Sequence, residues 1–588
     1  MRPHVEDFAC EIIAEEMEIR RRNSILPGIA VFTPDFIEKW TLDEDKDHSP
    51  FLTSILTTAS PERAKKYNKL KNPDKLVQVV THQLLYQSSN RCMSFQAQFG
   101  LFLWSTGSAR QTINAAFRCG LSVSYDSVLN LGQSLGLGCT MENTLFVATE
   151  PHGLGYDNLN ISTSIFVEQR GASGPAKVTS GTFGVLYGLR NANFDDMLIA
   201  PIMRCLSAST GLHFNRDIRP SSEHLGIFHD QLIITVIETL LIYNKGFDDV
   251  AKHPSLQHQP IRAIPVGYRT PQFATQASTI EEATVRGNLQ YHDELYVTQL
   301  KRTPEEMSKR DVFQLGFGLF HLCLNLVWAI LHTHRGSINE LGSLAYFFAL
   351  MEKKRLINDQ PDYHSLLAAL TEILHGLLLN AWSRECGFSS FKLFADSKPN
   401  PTTLRDIASR IVNNYATPMA EFDFSESPKD PAADAESLDS ETDGEGESPF
   451  PSHSSPAPAE NANDDVAYHN TRLLTRDLLM VVVLVRAISD GDIGRVEALL
   501  PHLAMMFRGA GCNKYCSEIL RFIHNLKHVW TPKFAYGDGS VFWCCADFLW
   551  QRYHARQCDD LYFGRRPWAL HGRRHEYRAS NWIFEGSG

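Results

Sequence analysis

Between Glu421 and Asp465 the chain runs through SESPKDPAADAESLDSETDGEGESPFPSHSSPAPAEN, dense in Asp, Glu, Ser, Pro and Ala, with no periodic apolar face. A segment of this kind cannot bury enough apolar surface to offset the entropy of ordering it. The folded chain must therefore be interrupted here, and residues 421–466 are expected to be a disordered acidic linker between two folded parts. The same stretch governs the charge. The whole chain has 56 basic and 67 acidic residues, a net of −11, but Glu421 to Asp465 alone holds fourteen acids and one lysine. What is left, 55 basic against 53 acidic residues, is near neutral. The acidity belongs to the linker and does not argue against a polyanionic partner for the rest.

On either side of the linker the 588 residues, 43% of them hydrophobic, are ample for several cores. Leu76 to Val128 has apolar spacing suited to a series of short helices, with Gly107 and Gly120 as stops. From Asn143 to Arg170 the texture changes to β-branched and aromatic residues around Pro151-His152-Gly153-Leu154-Gly155 and Asp157-Asn158, which predicts two strands about a turn. A helical pattern resumes over Leu225 to Tyr243, dominates Pro304 to Ala416, and returns as three helices from Thr471 to Trp530, divided at Asp490-Gly491-Asp492 and at Gly509 to Gly511. The fold class expected is α+β and predominantly helical. The linear division is an N-terminal helical and basic region over 1–75, a helical part over 76–145, a mixed core over 146–420, the linker, a C-terminal helical part over 467–550, and an Arg- and aromatic-rich tail over 551–588.

Several function classes are disfavoured. Met1 to Arg22 alternates charges around short apolar patches and is unlike a signal peptide, so an intracellular protein of nucleus or cytoplasm with reduced cysteines is expected. Leu315 to Leu331 is interrupted by His321 and Asn325 and Leu478 to Val485 is short, so both read as buried elements and no membrane partner is expected. No phosphate-binding loop, zinc-protease, nucleophile-elbow or dinucleotide motif is present in the sequence.

Scattered carboxylates leave little local signature, and the acids in turn-like settings are therefore the candidates. Asp157 follows a Gly-Leu-Gly-Tyr run, where a short acid could hold Mg²⁺ or Mn²⁺ for attack on phosphate; the competing reading is an Asx turn. Asp492 in Asp490-Gly491-Asp492-Ile493-Gly494-Arg495 is a second catalytic candidate, with Arg495 as a phosphate contact, or else Asp492 simply caps the next helix. His321, Asn325, Trp328 and His332 share one helical stripe, either facing a site or forming an internal hydrogen-bond network. Cys512, Cys516, His524 and His528 have zinc-like pair spacing, but only seven residues separate the pairs on what reads as one helix, which opposes convergence. Arg565, Arg566, Arg573 and Arg574 are interleaved with Tyr562, Phe563, Trp568 and Tyr577, a combination suited to nucleic acid and equally to a solvated face.

A set of segments over about residues 75–530 resembles, in order, one family from mushroom-forming fungi known only as a domain of unknown function. They are Phe95-Gln96-Ala97-Gln98-Phe99-Gly100, Gly120-Leu121-Ser122-Val123-Ser124-Tyr125, Tyr156-Asp157-Asn158-Leu159-Asn160, Thr279 to Thr284 with Gly287-Asn288, Phe317 to Leu322, Gly342-Ser343-Leu344, Gly491 to Arg495, Lys514-Tyr515 and Ile523 to Leu526 with Trp530. The resemblance implies a mobile-element origin, and with it an RNase H-like core carrying large helical insertions and a divalent-metal nuclease or strand-transferase ancestor acting on DNA. The departures are specific. The family's G-D-Q-L segment has no room between Thr303-Pro304-Glu305-Glu306 and Phe317, while His229-Asp230-Gln231-Leu232 resembles it in the wrong order. The family's continuation after Trp530 is replaced by the Arg-rich tail, and Cys512 and Cys516 do not correspond to cysteines in the family. Two functions follow: a transposon-derived protein of doubtful present activity, or a non-catalytic helical protein binding nucleic acid or other proteins.

Overall fold

Side-chain caps set many of the helix starts. Ser124, Ser221, Asp362, Asn400 and Asp492 each accept the amide three residues on, satisfying a donor that the helix itself cannot reach. Pro401 occupies the first turn after Asn400, where its missing N–H costs nothing. The computed structural model describes residues 2–40, 42, 49–58, 73–163, 177–282, 284–301, 318–417 and 466–536. Among these the chain is predominantly helical, with one three-stranded sheet.

Two compact units are formed, and neither is contiguous in sequence. Among the described residues the first takes those up to Tyr187 with Pro271–Lys301, the second Gly188–Thr270 with Gly318–Thr417 and Val466–Tyr536.

In the first unit the expected short helices run Pro73–Ser88, Ser94–Ser105 and Arg110–Arg118, and Gly107 and Gly120 take the positive φ values that end two of them. Phe32, Ala97, Ile113, Val123, Val128 and Leu131 pack as one core cluster. The strand expectation is corrected in part. Asn143 to Thr149 continues the Tyr125–Thr149 helix, because Asn143, Phe146 and Val147 are buried on its inner face. The Pro-His-Gly-Leu-Gly run is no turn: it opens strand β1, His152–Thr163, which pairs with β2, Lys177–Gly188. β2 in turn pairs antiparallel with β3, Gln272–Ala274, in the register Val185 to Ala274. Gly153 is required by packing, since a Cβ there would lie 1.9 Å from the Tyr187 hydroxyl.

The second unit is a helical bundle built around Ser222–Tyr243, which packs on Pro401–Tyr415, Ile493–Gly509, Val466–Ser489 and Tyr363–Glu385. Residues Leu478 to Val485 are all buried, so this stretch of the Val466–Ser489 helix is enclosed on every side and its apolar run needs no membrane to explain it. Ser222–Tyr243 and Tyr363–Glu385 are long and apolar enough to cross a bilayer by length and composition, and about half of each apolar window is buried inside the fold. Helices before and after the acidic stretch, Pro401–Tyr415 and Val466–Ser489, lie against one another in the same unit. The described residues flanking the expected linker on its two sides thus belong to one unit; residues 418–465 themselves lie outside the described residues.

His375 is buried in this bundle, and its Nδ1 lies 3.1 Å from the Tyr243 hydroxyl. Burial pushes its pKa down to about 4, so the folded ring is neutral where the unfolded one takes up a proton. Stability is then full above the ordinary histidine value and falls as the pH drops toward 4, by roughly 2–3 kcal/mol from this group. Urea denaturation at pH 7 and pH 4.5 should show a smaller acid loss in His375→Gln than in the parent; equal losses would contradict the assignment.

Candidate functional site

Asp490 to Arg495 forms a tight turn between two helices. Gly491 adopts φ +63°, and its carbonyl accepts the Ile264 amide at 3.1 Å, while Ile493 N donates to Arg262 O at 3.3 Å, making a short antiparallel bridge with residues 262–264. Gly494 permits the close approach, because a Cβ there would meet Ile261 Cγ2 at 2.5 Å. The Asp492 carboxylate lies between the two segments. Its oxygens accept Ile261 N at 2.8 Å, Arg262 N at 3.0 Å and Arg495 N at 3.3 Å. With only 2% of its surface exposed, Asp492 is aimed at amides and not at solvent. Of the two sequence readings of Asp492 the structure has the second: the side chain is a helix cap and a cross-link to residues 261–262.

Arg495 is corrected for the same reason. It is buried, with Nε donating to Gln231 Oε1 at 3.1 Å and Nη1 to Asp490 Oδ2 at 2.6 Å, so it presents no surface to nucleic acid. Asp490 also accepts Arg486 Nε at 3.1 Å, and Arg486 reaches Glu238 at 3.8 Å, which faces His258 at 3.6 Å. Burial alone would raise the Glu238 carboxyl; the His258 contact and the Arg486 charge outweigh it and leave the carboxyl below its usual range. Arg262 pairs with Glu497 and stacks its guanidinium 5.2 Å from the Tyr536 ring centre. The His229 to Leu232 segment, resembling a displaced G-D-Q-L, is absorbed by the same unit: Asp230 pairs with Arg405, and Gln231 with Arg495.

The histidine stripe is not one connected network: the His321 side chain is exposed, and Asn325, Trp328 and His332 each meet a different partner. Asn325 donates to His321 O and to the Tyr515 hydroxyl, Trp328 Nε1 donates to Pro361 O, and the His332 ring meets Asp359 O. The cysteine and histidine pairs do not converge. The Cys512 thiol donates to Ala510 O and burial pushes its pKa up to about 11, which disfavours the thiolate a zinc site needs. His524 instead contacts Thr210 O at 3.1 Å, and His528 contacts Asp217 at 3.2 Å. Among the described residues no three His, Cys, Asp or Glu side chains are grouped to hold a metal.

Asp157 lies inside β1, exposed, with Oδ1 accepting its neighbour's amide, Asn158 N, at 2.8 Å. The alternation of the strand turns Tyr156 the other way, where its hydroxyl donates to Asn288 Oδ1 at 2.7 Å and its ring packs 5.2 Å from Tyr291. Asn288 donates onward to Thr284 O and Glu282 O, and Thr182 donates to Ile280 O. Thus Tyr156-Asp157-Asn158 and Thr279 to Asn288, far apart in sequence, meet around Tyr156. Arg565, Arg566, Arg573 and Arg574 lie outside the described residues.

The sequence profile of a family of unknown function, DUF6589, matches residues 208–316 and 304–537. The chain belongs to that family. The DUF6589 match contains the whole Asp490 to Arg495 turn, Glu238, His258 and Asn288, while Asp157 precedes it. No curated protein and no solved structure matches the chain. Sequence reasoning missed the Glu238 network; its one visible signal is a lone acid within the apolar run QLIITVIETLLIY of this DUF6589 chain.

Because Asp492 satisfies three buried amides, Asp492→Ala should cost about 2–4 kcal/mol in urea denaturation. Asp492→Asn, which keeps an acceptor, should cost less. A loss below about 0.5 kcal/mol for the alanine variant would contradict the cross-link.

Proposed function

We propose that this DUF6589 chain descends from a fungal mobile element whose protein was a divalent-metal-dependent DNA nuclease or strand-transferase with an RNase H-like core, and that it now acts on DNA by binding without cutting. The nuclease ancestry rests on the family resemblance and on Asp157, an exposed acid within a strand of the chain's sheet. The loss of cutting rests on one observation above all. The second candidate acid, Asp492, is committed to the amides of Ile261, Arg262 and Arg495. The residues described around Asp157 do not make a three-ligand Mg²⁺ or Mn²⁺ site either, since it belongs to no group of three or more His, Cys, Asp or Glu side chains among the described residues. The missing G-D-Q-L segment agrees with both.

Binding is assigned to the tail, where Arg565, Arg566, Arg573 and Arg574 alternate with aromatic residues that can stack on bases. A nicking assay on supercoiled DNA with Mg²⁺ or Mn²⁺ should show no cleavage; metal-dependent cleavage abolished by Asp157→Ala would overturn the loss and establish a nuclease. Separately, DNA affinity should fall steeply with salt and should be lost on removing residues 551–588. Unchanged affinity in the truncated chain would remove the tail from the account.

A further inference from the structure

The described residues on either side of 418–465 meet in the second unit. The helix entering it, Pro401–Tyr415, ends with backbone carbonyls that have no partner within the helix. They are met by side chains of the helix that follows the stretch, Val466–Ser489. Tyr468 Oη donates to Asn414 O at 3.1 Å. Arg472 Nη2 donates to Asn413 O at 3.2 Å, and its Nε to Thr417 O at 2.8 Å. The Arg472 guanidinium also lies 5.7 Å from the Tyr468 ring centre, and a cation suits the negative end of a helix dipole. Thr417 in turn folds back, its hydroxyl donating to Val412 O at 3.0 Å.

We propose that Tyr468 and Arg472 form a clamp in which the second helix caps the first, closing the bundle at the root of residues 418–465 and making those residues an insertion that the fold does not require. Packing supports this, since the two helices touch directly and each also packs on Ser222–Tyr243. The geometry allows a short replacement. Arg472 is six residues into its helix, a rise of about 9 Å, and six residues of extended chain reach roughly 20 Å.

The test uses the full chain and a version in which six Gly and Ser residues replace 418–465. The shorter loop is roughly eightfold reduced in length, so its closure should raise the folding equilibrium constant of the second unit about twentyfold. Arg472→Ala should lower that constant on the order of tenfold or more in both backgrounds, with Tyr468→Phe a smaller loss in the same direction. Helical content should be retained by the shortened chain apart from any contribution of the segment removed. A shortened chain that unfolds more easily than the parent overturns the proposal. So does an Arg472→Ala variant as stable as its background.

Discussion

One carboxylate fastens the second unit. Asp492 draws its three amide donors from two segments more than two hundred residues apart, and it does so buried. Hydrogen bonds to an ionisable acceptor away from water are stronger than neutral ones, and the same burial makes a missing partner costly. The turn that Asp492 holds also sets the direction of Arg495, which would otherwise be a cation buried without Asp490 and Gln231 beside it. From there the chain of partners runs through Arg486 to Glu238 and His258, joining three helices and the 258–264 segment.

The same use of charge recurs through the bundle. Asp477 is buried in the Val466–Ser489 helix and accepts the His334 ring at 2.8 Å and Arg476 Nε at 2.7 Å; burial works against its charge, and those two partners still hold its carboxyl below the usual range. Asp217 is held low chiefly by Arg216, with the His213 amide and His528 adding to it. Each pairing lowers a carboxyl in the folded state, so its contribution is present above the ordinary carboxylate range and is lost as the pH falls through it. Imidazoles and acids that look like catalytic material in the sequence are largely spent on fixing one helix to another.

How much of this was legible in sequence depends on the range of the interaction. Helix starts and stops are local, and Gly107, Gly120 and the Asp490-Gly491-Asp492 turn fall where residue chemistry placed them. The Asn143 to Thr149 stretch misled because β-branched and aromatic residues serve a buried helix face as well as a strand, and only tertiary packing decides between them. The role of Asp492 as a cap was readable as one of two alternatives, but its bonds to Ile261 and Arg262 depend on a contact across more than two hundred residues, which no spacing reveals. Arg495 was misjudged for the same reason: a guanidinium looks like a surface phosphate contact until its buried partners are known. The acidic stretch is a break in composition, but composition does not show that the helices flanking it meet through Tyr468 and Arg472 reaching back to Asn413, Asn414 and Thr417.

Amide hydrogen exchange at three positions measures the fastening directly. Bound to a buried carboxylate, the amides of Ile261, Arg262 and Arg495 should exchange only through opening of the whole second unit, with protection matching that of core amides in the Val466–Ser489 helix. Exchange of Ile261 and Arg262 at the rate of an ordinary exposed loop, in a chain whose helix core remains protected, would contradict the account.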